Sequence, residues 1–137
     1  MGSHSAHLTH HSDLKKNQKL VYDALHSANS PLSAYAILDL LRDDGFRAPL
    51  QVYRALEKLT EFCLVHKIES LNAFVACSHD DCGTTEPAAF MICEECESVS
   101  ELGDSKLSKH LGTLANTQDF ALKHTTVELH GRCKNCN

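Results

Sequence analysis

An apolar stripe begins soon after Asp13, where Leu20, Val21, Ala24, Leu25 and Ala28 recur at i, i+1, i+4, i+5 and i+8 and so share one face of a helix. The pattern stops at Asn29-Ser30-Pro31. Ser33 is placed to cap a second helix with the stripe Ala34, Ile37, Leu38 and Leu41, which ends at Gly45 and carries Tyr35, Asp39 and Arg42 on its opposite flank. Pro49 suits the first turn of a third helix whose buried face is Val52, Ala55, Leu56, Leu59 and Phe62. At about 100° per residue, Arg54 lies opposite that face, flanked by Gln51 and Lys58. Cys63 falls at the apolar side of this helix and reads as a buried small hydrophobe. Two short β-rich runs follow, residues 65 to 69 and 73 to 77, joined by Ser70-Leu71-Asn72. Three helices and a hairpin make a winged helix, in which the last helix enters the major groove and the hairpin lies against the DNA backbone.

Residues 78 to 88 are polar, contain Gly83 and Pro87, and read as a hinge loop. Strands are then predicted over 89 to 92 and 98 to 102, a helix capped by Asp104 through Leu107, Leu111 and Leu114, and a long strand over 121 to 130. This order makes a small α/β domain whose sheet needs a second protomer to cover an edge. Residues 1 to 12 are Ser/His-rich, lack periodicity and read as a disordered tail. The expected fold class is α+β: an N-terminal winged-helix DNA-binding domain (13 to 77), then a small C-terminal α/β dimerisation domain (89 to 137).

Two halves of about 60 residues each are marginal without a staple. Cys93-Glu94-Glu95-Cys96 and Cys133-Lys134-Asn135-Cys136 supply one, because two CxxC hooks match a closed tetrahedral zinc site. Four sulfurs leave no open position for substrate, so Cys93, Cys96, Cys133 and Cys136 are expected to hold a structural zinc. A zinc deaminase would need a proline directly before its CxxC and an upstream HxE, and the chain has neither at Cys93, so no enzyme is expected. The odd count of seven cysteines and the absence of an export signal favour reduced thiols. No run approaches the roughly 18 apolar residues of a membrane span, and a soluble, cytoplasmic protein is expected.

The net charge is −5, unevenly spread. Residues 1 to 70 carry eight Lys/Arg and eight Asp/Glu, whereas 71 to 137 carry five and ten. Contact with phosphates must therefore come from the first half, through placement rather than bulk charge.

With its terminal His130-Gly131-Arg132-Cys133, the chain resembles the ferric uptake regulator family. Several phrases are similar to the zinc uptake regulator branch: Leu32-Ser33-Ala34-Tyr35, Leu38-Asp39-Leu40-Leu41-Arg42, Val52-Tyr53-Arg54-Ala55-Leu56, Val65-His66-Lys67-Ile68-Glu69-Ser70, Asn72-Ala73-Phe74-Val75-Ala76-Cys77 and Phe90-Met91-Ile92-Cys93. The resemblance runs from about Asp13 to Cys136 and implies a homodimeric transcription factor. Such a protein represses zinc-uptake genes when zinc is sufficient, with zinc as corepressor. Family members answering another metal or peroxide, and a zinc-stapled protein-interaction module without DNA affinity, are the alternatives.

A sensor needs a second zinc per protomer, held by weaker donors that bridge moving parts. His66 in the wing, Cys77 at its end and Glu101 beyond the hinge meet that description, and the resemblance implies the same three positions. The histidine that the family usually places before the FxxC strand is absent. Cys82 is favoured as fourth ligand, since a lone thiol beside Gly83 in a polar loop has little packing reason to be there; Glu86 and His79 are the alternatives. Loss of the histidine-rich box of the iron branch argues against Fe²⁺. His124 and His130 read as strand packing or hydrogen-bonding residues.

Arg54 can contact guanine O6 and N7 bidentately, Tyr53 flanks it, and Tyr35 can reach a thymine methyl or a phosphate. The resemblance implies Tyr35 and Arg54 as base-contacting residues of a palindromic double-stranded operator. Lys15, Lys16, Lys19, Arg47, Lys58 and Lys67 are candidate phosphate contacts. Asp39 and Arg42 could pair across neighbouring dimers, giving two dimers per operator, or form an exposed i, i+3 pair with each other.

Overall fold

The computed structural model describes residues 14–28, 30–77, 88–103, 105–123 and 125–137. The chain divides into two compact units, Met1–Thr84 and Thr85–Asn137. The expected tail (1 to 12), most of the hinge, Asp104 and His124 lie outside the described residues.

The first unit holds α1 (Lys16–Ala28), α2 (Ala34–Leu40), a 3₁₀ turn (Arg42–Asp44), α3 (Pro49–Glu61) and a hairpin of β1 (Val65–Ile68) and β2 (Ala73–Ala76). Ser33 is extended and its hydroxyl accepts the Ala36 N–H at 3.1 Å, satisfying a donor that the helix start leaves open. The second helix is shorter than its stripe suggests, ending at Leu40 rather than running to Gly45. Leu41 leaves helical geometry, and the 3₁₀ turn closes on Gly45 at φ 100°, a left-handed conformation glycine adopts at little cost. This tighter path lets both Leu41 and Phe46 enter the core, with Phe46 N–H bonded to the Leu41 carbonyl at 3.2 Å. Core burial has overridden helix continuation.

In α3, Val52, Ala55, Leu56 and Leu59 are buried as the period requires. They pack with Val21, Leu25, Ile37, Leu38, Leu64, Val65 and Phe74 in one cluster. Each buried Leu or Val removes on the order of 1.5–3 kcal/mol of apolar surface from water. The hairpin is antiparallel, with Val65 opposite Ala76 and Ile68 opposite Ala73. Asn72 closes it in the left-handed region at φ 49°. A bridge between Leu32 and Phe74 ties the hairpin to the lead-in of α2.

The second unit holds β3 (Ala88–Cys93), β4 (Val99–Gly103), α4 (Ser105–Thr117) and β5 (Val127–Gly131), with sheet order β4-β3-β5. β4 runs antiparallel and β5 parallel to the central β3. The long strand expected over 121 to 130 is confined to Val127–Gly131. Its parallel register sets Val127 opposite Ala89 and Gly131 opposite Cys93. Ala89, Phe90, Ile92 and Cys93 are buried, but α4 buries no residue fully, and Met91, Leu102, Leu114, Phe120, Leu122 and Leu129 remain exposed.

Cys63 is a half-buried residue just past the end of α3, at φ 61°, rather than a core residue on its apolar face. Left-handed backbone costs a residue with a Cβ roughly 1–2 kcal/mol, but the turn lets Leu64 N–H bond to the Leu59 carbonyl at 3.0 Å and start the wing. Urea unfolding should therefore rank stability as Cys63→Gly above wild type above Cys63→Val, with steps of about 1 kcal/mol.

Candidate nucleic-acid interface and metal centre

The last residue of β3 and the turn after β5 bring the two dithiol hooks together. The ligand atoms of Cys93, Cys96, Cys133 and Cys136 lie within 4.8 Å of one another, and Cys96 Sγ to Cys133 Sγ is 3.7 Å. A tetrahedral zinc with Zn–S bonds of about 2.3 Å spaces its sulfurs about 3.8 Å apart, so this donor set fits Zn²⁺. Cys93 Sγ also accepts the backbone N–H groups of Cys96 at 3.5 Å and Cys133 at 3.3 Å. These bonds, Cys96 first, favour the thiolate and hold the Cys93 thiol down at about 6. The Ser98 hydroxyl similarly lowers Cys96. Cys136 is instead pushed up to about 12, by Cys133 first and then by Cys93 and Cys96. Four sulfurs this close cannot all ionise unless a cation neutralises them, which is what a structural zinc supplies.

Within the first unit, the ligand atoms of His66 on β1 and Cys77 after β2 lie within 4.8 Å of each other. They meet because the antiparallel register sets His66 opposite Val75, two residues before Cys77, and Cys77 N–H bonds back to the Leu64 carbonyl at 2.8 Å. Cys77 is buried and disulfide-bonded, so its metal-binding form is the reduced one. In the second unit Glu101 is half-buried on β4 opposite Phe90. Cys82, His79 and Glu86 lie outside the described residues.

The expected DNA-facing side chains are displayed on the winged-helix surface. Tyr35 is 62% and Tyr53 42% exposed, and Arg54 and Lys58 are exposed. Lys58 Nζ lies 3.6 Å from Glu61, a solvated pair on the same helix. Gln51 turns its side-chain oxygen back to the N–H groups of Arg47 at 2.7 Å and Ala48 at 3.0 Å, capping the start of α3. Only its amide NH₂ is left for a base. Asp39 and Arg42 pair with each other at 3.1 Å on an exposed face. The pattern of inward positions passes over Leu50, which is exposed at the start of α3. The signal that finds it is its spacing of three and four residues from Tyr53 and Arg54.

The four-sulfur geometry makes metal removal diagnostic. Stripping zinc with a strong chelator, or Cys133→Ser, should lower the metal count by one per protomer. It should also abolish the ordered sheet of the second unit while the helical circular dichroism of the first persists. A second unit that kept its hydrogen-exchange protection without metal would contradict the assignment.

The chain matches the ferric uptake regulator family over residues 14–130. It is 42% identical over 106 residues to the zinc uptake regulation protein of Escherichia coli (strain K12), covering 77% of this chain and 61% of the relative. The chain thus spans about three-fifths of the length of that relative. Two solved structures share its fold at high similarity. A zinc uptake regulator complexed with zinc and DNA is 36% identical with a TM-score of 0.83 (89% of this chain, 81% of that one). Holo XcZur is 37% identical with a TM-score of 0.81 (89% and 84%). A winged helix with an exposed Tyr-Arg helix face and a terminal four-sulfur cluster, matched across most of its length, places this chain in the ferric uptake regulator family.

Proposed function

We propose that the protein is a zinc-responsive repressor of zinc uptake genes, acting in the cytoplasm as a homodimer on palindromic double-stranded DNA with zinc as corepressor. The observation that carries this is the convergence of His66 and Cys77 within the DNA-binding unit itself, apart from the four-sulfur cluster. A histidine and a thiol make a weaker, more exchangeable set than four thiolates, as a sensor requires. Glu101 and Cys82 complete the set, with Glu86 or His79 as alternatives to Cys82, so each protomer takes one structural and one regulatory zinc. Support comes also from the relatives, one named for zinc uptake regulation and another solved with zinc and DNA.

The chain's own residues divide the work. Arg54 reads a guanine edge from α3, with Tyr53 beside it and Tyr35 reaching in from α2; Lys58 contributes a phosphate contact and Gln51 its free amide. The apolar side chains left exposed on the second unit, among them Met91 and Leu129, are the surface a second copy would cover. The domain division is a winged helix over 13 to 77, a hinge over 78 to 88 and a dimerisation and metal domain over 89 to 137. No residue is assigned a catalytic role. No helix among the described residues is long and apolar enough to cross a membrane.

Reduced protein titrated across buffered free Zn²⁺ should bind a family-type palindrome about 5- to 150-fold more tightly as occupancy passes from one to two zincs per protomer, the span of a typical coupling energy. Cys77→Ser, and oxidation of Cys77, should stop at one zinc and lose the response. Equal affinity of the one-zinc and two-zinc forms would refute the proposal.

A further inference from the structure

Leu50 occupies the second position of α3, and 56% of its surface is exposed. It belongs to neither the buried core nor the apolar residues packed against it. Leu50, Tyr53, Arg54 and Glu57 recur at i, i+3, i+4 and i+7 and are all exposed, so they form one outward stripe opposite Val52, Ala55, Leu56 and Leu59. The first residues of a recognition helix are the ones that reach base edges, and Leu50 stands there with an apolar side chain. The apolar group that the major groove offers is the C5-methyl of thymine.

Four residues of helix advance about 6 Å along its axis. Successive base pairs are about 3.4 Å apart, so Leu50 and Arg54 can engage positions one or two steps from each other. We propose that Leu50 packs on a thymine methyl close to the guanine read by Arg54 and sets a thymine preference at that base pair. The assignment rests on the DNA-binding reading above and adds to it a residue that specifies one operator position. An uncharged side chain releases no counterions, so Leu50 contributes sequence preference without salt dependence.

The test begins by selecting operators from a random duplex library with the zinc-loaded protein. Each thymine of the selected duplex is then replaced singly by deoxyuridine, which deletes only the methyl. Wild type should lose about fourfold in affinity at one thymine per half-site, the worth of one buried methyl. Leu50→Ala should bind the thymine and deoxyuridine duplexes equally at that position, with the salt slope unchanged. Leu50→Met, close to leucine in volume, should restore the discrimination. If no replacement costs wild-type affinity, or if Leu50→Ala keeps the full penalty, the assignment is overturned while DNA binding stands. A selection that enriches no sequence overturns the DNA-binding reading and this assignment together.

Discussion

Mutual repulsion among four sulfurs is the constraint on which the second unit depends. Cys93 sits at the end of the central strand and Cys136 one residue from Asn137, and their sulfurs share one small volume with those of Cys96 and Cys133. Without a cation the cluster cannot carry four thiolates: the neighbouring sulfurs, Cys133 first, push Cys136 up, while backbone N–H groups, that of Cys96 first, hold Cys93 down. The rest of the unit is poorly equipped to hold itself together. Its helix has no buried residue, and among the described residues its buried apolar side chains all come from β3. Metal coordination, together with the second copy proposed above, would do what a larger core does in a longer domain.

The first unit is built differently. A single cluster from α1, α2, α3 and the hairpin buries the inward faces, and needs no metal to do so. That independence leaves the opposite face of α3 free to carry function. The basic groups of the chain are concentrated in this half, eight Lys/Arg among residues 1 to 70 against five in the remainder. The phosphate contacts proposed for a protein of net charge −5 would thus come from this half.

What could be read from the sequence followed physical periodicity and spacing. The inward face of α3 and the two strands of the hairpin were legible because helical periodicity reports burial and β-rich runs around a turn mark strands. The CxxC pairs were legible because metal geometry dictates ligand spacing. The end of α2 was not, since the burial of Leu41 and Phe46 is decided by neighbours distant in sequence. Nor was the start of β5 at Val127, since pairing with β3 rather than local composition sets it. Cys63 looked like a core residue because helical periodicity does not announce a left-handed turn two residues past the helix. Gln51 and Leu50 illustrate a complementary blind spot. A face assignment sorts inward from outward, but only coordinates show that Gln51 caps its own helix while Leu50 stays exposed.

Coupling between zinc and operator is the central claim, and linkage makes it measurable from the metal side. The affinity of the weaker zinc site should be determined in competition with a chromophoric chelator, with palindromic operator, with scrambled duplex and with no DNA. The operator alone should tighten that site by the same factor by which the second zinc tightens DNA binding. A zinc affinity indifferent to the operator would contradict the account, however tightly either ligand binds by itself.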